Sequence, residues 1–460
     1  MHSQVSHRHT YIWLALSAAA YLALGYFTER TNFALVLSWF GLACIGYTRL
    51  VRSDLTVKQG IAAAMLLRML FIAAVPALSD DYFRFIWDGR LLANGINPYQ
   101  FLPHEFYPDQ LQQYNLTAQL YAGLNSKHYF TIYPPVCQFI FWLAGLVAPH
   151  QEALAIMVMR VFILSAEAGT MWLLVKILHK LALPEKQLFW YAFNPLVIIE
   201  LSGNLHFEAL MIFFILLSLY QLLLHRQVAS AVTLGLGIGV KLLPIMFLPF
   251  LIRQLGWFSF IKFAAVVVVV IVLMFFPFYS QQLFHKIFSS IDLYFQKFEF
   301  NAAIYFLIRE VGFWITGYNQ IHKIGPALSV IAFLGIMLTV VLERHSTISS
   351  LFGSCMAALS IYLFLATTVH PWYITTLVAL CACTRFRYPA IWSIVTVLSY
   401  AAYQNPDYQE NLVLVSLEYT VVFIWLAVEL YAFRIRKPLH NLLEKRKSRK
   451  RKNSLPASDK

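Results

Sequence analysis

The sequence predicts an all-α, polytopic membrane protein. Of its 460 residues, 60% are apolar and 12% are charged, whereas a soluble domain carries about 25% charged residues. Several predominantly apolar runs, such as 263–278 and 412–433, approach or exceed the roughly 20 residues that a helix needs to cross a bilayer. These runs lack the polar–apolar alternation of strands in a membrane barrel. The composition therefore excludes an ordinary soluble domain, and the spacing favours helices.

The distribution of Lys and Arg predicts a topology with both termini in the cytoplasm, because short cytoplasmic loops are enriched in these residues. Counting apolar runs between the termini gives about 12 transmembrane helices, within a range of 10–14. A single integral membrane domain is predicted for 1–433. Its two long loops, 79–132 and 279–324, are expected on the non-cytoplasmic side, and the first is expected to carry juxtamembrane helices.

The basic tail 434–460 follows the last apolar run. In that position a basic segment that contacts anionic lipid headgroups is favoured over a nucleic-acid-binding arm. The tail is expected to be cytoplasmic and disordered, and no nucleic acid is expected as a partner.

Two segments do not fit a simple series of crossings. The run 133–149 opens with two prolines and is expected to be an interfacial or re-entrant helix. The run 228–252 carries Lys241 and Pro244 in its middle. Interrupted backbone at membrane depth occurs where it lines a cavity, so this run is expected to be a broken element.

The richest polar cluster directly follows the third apolar run. Asp80, Arg84 and Asp88 are spaced at i,i+4 and would share one face of a helix. One alternative is a plain helix cap, with Ser79 as the N-cap and the acidic residues in the first turn. Capping needs one acidic group, whereas this cluster adds Asp81 and further charged residues. A partly desolvated carboxylate at a membrane exit suits a general base for a hydroxyl.

Later in the chain, Lys241 is expected to mark a functional pathway, since a lysine at membrane depth is costly. The alternative is that its side chain snorkels to the interface. His206 and Glu208 fall at a predicted outer edge, where a lone histidine is more often a hydrogen-bonded structural residue. His370 and Tyr373 fall in a short loop on the same predicted side and are expected to line the same cavity.

The cysteines predict no disulfide framework or zinc site, because nearly all five lie in apolar runs without C-x-x-C spacing. Four polar residues of the predicted site, namely Asp80, Asp81, His206 and Glu208, have side chains able to hold a divalent ion. Nothing in the sequence requires one, so no cofactor is predicted.

The motifs, taken in order, resemble a known enzyme superfamily. Between 80 and 135 the chain reads Asp-Asp, Arg, Trp-Asp-Gly-Arg, Gly-x-Asn-Pro-Tyr and Tyr-Pro-Pro. This order resembles the GT-C superfamily of polyprenol-phosphate-dependent glycosyltransferases, in particular bacterial mannosyltransferase-like proteins related to the catalytic subunit of GPI mannosyltransferase I. Three later motifs are similar to those of the same family: Asn194-Pro195-Leu196 with Glu200, Gly203 and His206; Lys241-x-x-Pro244; and His370-Pro371-Trp372-Tyr373.

The resemblance implies an inverting glycosyltransferase that moves a hexose, with mannose as the family-level expectation. The donor would be a polyprenyl-phosphate sugar, and the acceptor a glycolipid, a glycan or a protein. Transfer would take place on the periplasmic face of a bacterial inner (plasma) membrane. The catalytic carboxylate would lie at Asp80 or Asp81, which the sequence does not rank.

The resemblance also suggests roles for the other polar residues. The donor phosphate is expected to contact four of them: Arg84, Arg90, Lys241 and His370. The substrate cavity is expected to include five more: Asp88, Tyr133, His206, Glu208 and Tyr373. A structural ion pair between Arg84 and Asp88 is an equally good interpretation of their spacing.

Three alternatives remain open at the level of the sequence. A transporter or lipid-linked-sugar flippase would also use buried cations such as Arg160 and Lys241, but would leave the acidic first loop unexplained. An O-antigen ligase or polymerase would place its large functional loop late in the chain. A non-catalytic assembly subunit would need neither aspartate.

Overall fold

The computed structural model describes residues 2–343, 347–405 and 408–453, and only the backbone of residues 2–8, 108, 291, 293–297 and 435–453. Residues 454–460 of the basic tail lie outside the described residues, as do Arg344 and His345, whose basic side chains predict a cytoplasmic loop. Within the described part every regular element is helical, apart from one isolated β-bridge between Phe300 and Thr368. The predicted all-α class is confirmed.

The first half of the chain contains helices of very different lengths. They are α1 (His2–Tyr26), α2 (Phe33–Leu50), α3 (Val57–Met69), α4 (Asp81–Ala93), α5 (Pro108–Gln113), α6 (Ala118–Gly123), α7 (Pro135–Val147), α8 (Glu152–Lys180), α9 (Phe189–Ala192), α10 (Pro195–Val197), α11 (Glu208–Leu223) and α12 (Gln227–Val240).

The second half continues in the same way. Its helices are α13 (Leu251–Leu255), α14 (Trp257–Phe275), α15 (Leu283–Lys297), α16 (Ile304–Thr316), α17 (Ile321–Leu342), α18 (Ile348–Leu365), α19 (Ile374–Cys381), α20 (Tyr388–Val395) and α21 (Leu412–Asn453).

Six helical segments among the described residues are long and apolar enough to cross a membrane. They are Phe33–Leu50, Glu152–Lys180, Trp257–Phe278, Ile321–Leu342, Ile348–Leu365 and Leu412–Arg434. A seventh is added if the bent pair Pro195–Gly203 and Glu208–Leu223 is one span. The protein is therefore polytopic, while the count of about 12 crossings remains a prediction.

The structure contains the irregular elements that the sequence indicated. Helix α12 ends at Val240. The next residue, Lys241, has an extended backbone (φ −156°, ψ 138°), and a 3-10 segment, Leu243–Phe250, follows it. The predicted break in 228–252 is confirmed.

Helix α7 has 13 residues, or about 20 Å of length, which is too short to cross the roughly 30 Å hydrocarbon core. Its short length agrees with the predicted interfacial or re-entrant helix.

A second break turns the chain by 115° between Pro195–Gly203 and α11. Backbone carbonyls freed by such a break need partners at membrane depth. The fully buried Arg160 supplies them. Its guanidinium donates to the carbonyls of Ser202 (2.7 Å), Gly203 (3.1 Å) and Ile72 (3.0 Å). This one side chain therefore holds the bend between Pro195–Gly203 and α11, called the broken turn below, against the segment that follows α3.

A second buried cation stabilises the neighbouring helices. Arg68 donates to Glu167 (2.7 Å) and to the carbonyl of Ala192 (2.7 Å), and Glu167 also accepts from the Tyr191 hydroxyl. Arg160 and Glu167, which lie seven residues apart on α8, are therefore structural residues.

Helices α4 and α7 pack with their backbones in direct contact, and glycine makes this approach feasible. A Cβ atom added at Gly89 would lie 2.2 Å from the carbonyl oxygen of Phe141, and one added at Gly145 would lie 2.3 Å from the carbonyl oxygen of Gly89. Both positions are buried. This contact fixes α4, and with it the polar cluster at its start, against the rest of the molecule.

We expect Gly89→Ala to lower the free energy of unfolding by about 2 kcal/mol, because overpacking against a backbone atom cannot be relieved by a rotamer change. Gly41→Ala, in the interior of α2 with no atom within 4 Å of the added Cβ, is the matched control. It should be neutral or stabilising by roughly 0.5 kcal/mol, since Ala favours helix over Gly. Unfolding in lipid nanodiscs, followed by tryptophan fluorescence, measures both. Equal stability of the two variants would contradict the proposed packing.

Candidate functional site

Asp81 is the first residue of α4, and its half-buried carboxylate lies in a polar setting. Its backbone N–H donates to Ser79 Oγ (3.3 Å). The carboxylate accepts from the Tyr133 hydroxyl (3.3 Å) and from Asn125 Nδ2 (3.5 Å). Both donors belong to the 79–132 loop or its immediate continuation, so the loop folds back over the start of α4.

Burial raises the pKa of Asp81, which makes its carboxylate a stronger base than an exposed aspartate. The negative charge of Glu208 adds to this rise. His206 and the hydrogen bonds from Asn125 and Tyr133 act in the opposite direction. Glu208 and His206 are therefore close enough to influence Asp81, although they lie more than 120 residues later in the chain.

Asp80 has a different environment, although it is the adjacent residue. Its carboxylate forms an ion pair with Arg30, from the link between α1 and α2. The same guanidinium lies over the rings of Tyr403 (5.0 Å) and Tyr408 (6.0 Å). Asp80 is therefore a charge-paired residue, whereas no ion pair is found for Asp81 among the described residues.

The broken turn before α11 connects these aspartates to the opposite wall of the site. Asn204 accepts a hydrogen bond from the backbone N–H of Leu78 (3.2 Å), just before the polar cluster, and donates to Glu200 (3.1 Å). Two residues later, His206 Nε2 lies 3.3 Å from Glu200. The geometry of the turn thus sets both the start of the 79–132 loop and the position of His206.

Lys241 lies where the extended break of α12 meets the site. Its ammonium pairs with Glu208 and stands 4.0 Å from the ring centroid of Tyr373. Its side chain is 34% exposed, whereas Glu208 is 6% exposed. Tyr373 is also within electrostatic range of both Glu208 and Asp81. Lys241 is therefore a cation at the edge of the same site, with one face accessible.

A stack of three rings closes the site on the side of the second half of the chain. Trp372 lies between His206 (centroids 3.8 Å apart, 17° between planes) and His370 (4.3 Å, 4°). Phe300, whose backbone pairs with 367–369, packs on His370 at 4.9 Å. With both faces covered, Trp372 presents no face for stacking against a sugar.

His370 keeps a neutral ring. Burial, aided by the positive charges of Lys241 and His206, lowers the pKa of His370 to about 3. Its Nδ1 atom is buried and has no hydrogen-bond partner in the described structure. A neutral imidazole with an unpaired nitrogen is able to accept or donate one hydrogen bond, depending on its tautomer.

The other predicted residues on α4 are held by internal partners. Arg84 donates to Asp88 (2.8 Å) and to the carbonyls of Tyr129 (2.9 Å) and Ser126 (3.2 Å), and Asp88 also accepts from Gln138 (2.9 Å). This arrangement fits the structural ion pair that their spacing suggested. Roles in donor binding for Arg84 and in the cavity for Asp88 remain predictions.

Arg90 is buried farther along α4. It donates to the carbonyl of Asn115 (2.6 Å), while its Nε and Nη2 atoms have no partner among the described residues. Its predicted contact with the donor phosphate likewise remains a prediction.

The structure thus brings together seven of the predicted residues: Asp81, Tyr133, His206, Glu208, Lys241, His370 and Tyr373. Sequence reasoning missed four residues at this site: Arg30, Asn125, Trp372 as a covered ring, and Tyr403. Only Arg30 carried a signal. With a cytoplasmic N-terminus, the short link after the first apolar run is predicted to be non-cytoplasmic, and an arginine there runs against the usual charge bias. In the described residues, no group of three or more His, Cys, Asp or Glu side chains has the arrangement of a metal site.

Residues 2–256 match the model of a family described as alpha-(1->6)-mannopyranosyltransferase, N-terminal domain. This range covers more than half of the 460 residues. The chain belongs to this family. The GT-C resemblance inferred from the motifs is thereby confirmed.

Two relatives are similar over a shorter stretch. Alpha-(1->6)-mannopyranosyltransferase A of Mycobacterium tuberculosis is 24% identical over 223 residues, which is 47% of this chain and 40% of the relative. The protein of the same name from Corynebacterium glutamicum is 24% identical over 214 residues, 46% of this chain and 41% of the relative. The matched region thus spans about two fifths of each relative.

The family match includes the aspartates, the broken turn and Lys241, but ends before His370 and Tyr373. The second half of the chain therefore adds its wall of the site in a region that the match does not cover.

We expect His370 to show no titration between pH 5 and pH 8, because its depressed pKa keeps the ring neutral throughout that window. Hydrogen–deuterium exchange at the imidazole C2 position, read by mass spectrometry as a function of pH, measures this directly. An inflection for His370 within the window would show that the ring is solvated or paired with a carboxylate, and would contradict the geometry described above.

Proposed function

We propose that this protein is an inverting mannosyltransferase that moves mannose from a polyprenyl-phosphate-mannose donor to a hydroxyl of a glycan or glycolipid. Support comes from the family and from the two relatives, whose names specify an alpha-(1->6)-mannopyranosyltransferase. The product linkage would be α-(1→6). Inversion then requires a β-linked mannosyl phosphate, because attack occurs on the face opposite the leaving group.

In the proposed reaction, Asp81 acts as the general base. Its carboxylate accepts the proton of the acceptor hydroxyl while that oxygen forms a bond to the anomeric carbon. The bond between the anomeric carbon and the phosphate oxygen breaks, and the electron pair leaves with the polyprenyl phosphate. The step consumes no cofactor, since the donor is already activated.

One observation carries the choice of Asp81 over Asp80: Asp80 is bound by Arg30, while Asp81 faces the polar site with only neutral donors on its oxygens. The ion pair holds a carboxylate oxygen of Asp80 against Arg30, so that oxygen is less available to an acceptor hydroxyl. The partly buried, unpaired carboxylate is the better base.

Lys241 is the proposed ligand for the leaving phosphate. A lysine ammonium binds phosphate as a point charge, and this one stands at the site with about a third of its side chain accessible. His370 Nδ1, buried and without a partner, is placed to add one hydrogen bond to the donor. Because Glu208 already pairs with Lys241, the phosphate would share the ammonium with Glu208 or displace it.

One of the two cations that favoured a transporter has a structural role instead. Arg160, a buried cation that would suit a translocation pathway, has its donors committed to backbone carbonyls of the broken turn. Lys241, the other cation that would suit such a pathway, pairs with Glu208 at the edge of the site that contains Asp81, where a leaving phosphate would need a positive charge.

The decisive test is transfer of radiolabelled mannose from polyprenyl-phosphate-mannose to mannoside acceptors by the purified protein in liposomes. We expect Asp81→Asn to lower transfer by about 10²–10⁴-fold, the usual contribution of a general base. Asp109→Asn, an exposed aspartate in the same loop, is the matched control and should transfer at the parental rate. Undiminished transfer by Asp81→Asn would eliminate this base. Uptake of a solute without mannose transfer would favour a transporter.

The proposed compartment is the periplasmic side of an inner membrane, with the 79–132 loop on that side. We expect a cysteine at the exposed position Tyr107 to react with a membrane-impermeant maleimide on intact spheroplasts. The matched control is Arg434→Cys, at the other predicted face, which should react only after permeabilisation. The native cysteines are all buried and should give little background. The reverse labelling pattern would place the site in the cytoplasm.

A further inference from the structure

Arg30 lies outside the proposed catalytic machinery and joins three segments that are distant in sequence. It lies on the link between α1 and α2, pairs with Asp80, and donates to the Tyr408 hydroxyl (3.4 Å). Its guanidinium also stands over the ring of Tyr403. The side chains of Arg30 and Asp80 are 20% and 32% exposed, so the pair is partly shielded from water.

The neighbouring residue Asp81 is the proposed base, and its side chain points to different partners. Two carboxylates on consecutive residues in a partly desolvated site repel each other, so that an unpaired neighbour would raise the pKa of the base. Arg30 cancels the charge of Asp80 by direct contact. Of these two adjacent carboxylates, Asp80 is therefore compensated by an ion pair and Asp81 is not.

We infer that Arg30 is a positioning residue for catalysis: by neutralising Asp80 it leaves Asp81 as the working base and sets the pH range in which that base is active. This inference rests on the proposed function. It assigns to Arg30 an electrostatic role that does not require contact with the substrate.

Six other described groups contact Asp81 or act on it electrostatically. Tyr133 and Asn125 contact it from the 79–132 loop, and His206 and Glu208 act on it from the broken turn and α11. From the second half of the chain, Tyr373 and Tyr403 lie within its electrostatic range. Glu208 is already paired with Lys241. None of these described groups forms an ion pair with Asp80. Arg30 does so.

The inference predicts pH shifts of opposite sign for the two halves of the pair. The base works in its ionised form, so transfer rises with pH through the pKa of Asp81. Arg30→Met leaves Asp80 uncompensated, and this negative charge should move the acid limb of kcat/KM to higher pH by about one unit. Asp80→Asn leaves Arg30 uncompensated, and this positive charge should move the limb to lower pH by a similar amount. In the double variant the acid limb of kcat/KM should lie within roughly 0.3 pH units of its parental position, since both charges are gone.

Two control variants separate charge from other effects. Arg30→Lys keeps the positive charge and should leave the acid limb near its parental position, even if the rate falls. Arg49→Met removes an exposed cation at the end of α2 that lies over Trp13 and should not move the limb. Unfolding temperatures of the single and double variants in nanodiscs report independently of activity whether Arg30 and Asp80 are coupled.

The outcomes also separate this inference from the proposed function. If the parent transfers mannose and Asp81→Asn does not, the proposed function holds. If, in that case, Arg30→Met and Asp80→Asn shift the limb in the same direction or not at all, the inference about Arg30 is wrong. Failure of the double variant to recover the parental limb would instead indicate that Arg30 contacts the donor directly, and would likewise overturn it.

Discussion

The structure depends on how a helix broken at membrane depth satisfies its backbone. Between Pro195 and α11 the chain turns by 115°, and the freed carbonyls of Ser202 and Gly203 accept from the guanidinium of Arg160. Water is scarce at that depth, and an unsatisfied carbonyl there costs several kcal/mol. The same arginine reaches Ile72, so the broken turn and the chain leading to the polar cluster are fixed by one side chain. The relative positions of His206 and Asp81 follow from this arrangement.

Charge compensation is the second principle of the site. Arg30 with Asp80, Lys241 with Glu208, and Arg84 with Asp88 are ion pairs between partners that are mostly shielded from solvent. Burying an unpaired charge is costly, and each pair lowers that cost. Asp81 departs from the pattern, having polar neighbours and no guanidinium or ammonium in contact among the described residues. A carboxylate left in that state has a raised pKa, which is the property that proton abstraction uses.

The sequence predicted local features of the structure, but it did not predict contacts between residues that are distant in the chain. Pro244 beside Lys241 predicted the break after α12, because proline and a lysine together oppose a continuous membrane helix. The i,i+4 spacing gave the Arg84–Asp88 pair as one of two equally good interpretations. The choice between Asp80 and Asp81 could not be made, because it depends on Arg30, fifty residues earlier. Likewise, nothing in the local pattern of Trp372 indicated that both of its faces would be covered by histidines.

The two halves of the chain contribute differently to the site. The half that matches the family supplies the proposed base Asp81, the broken turn, and the proposed phosphate ligand Lys241. The other half supplies the ring stack of His370 and Trp372 and the aromatic neighbours of Arg30. These later residues carry no ionic charge at neutral pH, yet they bury the charged ones and so determine how strongly each charge acts on the next. Reactivity in this site is therefore a joint property of both halves, with the charges drawn from one and their shielding from the other.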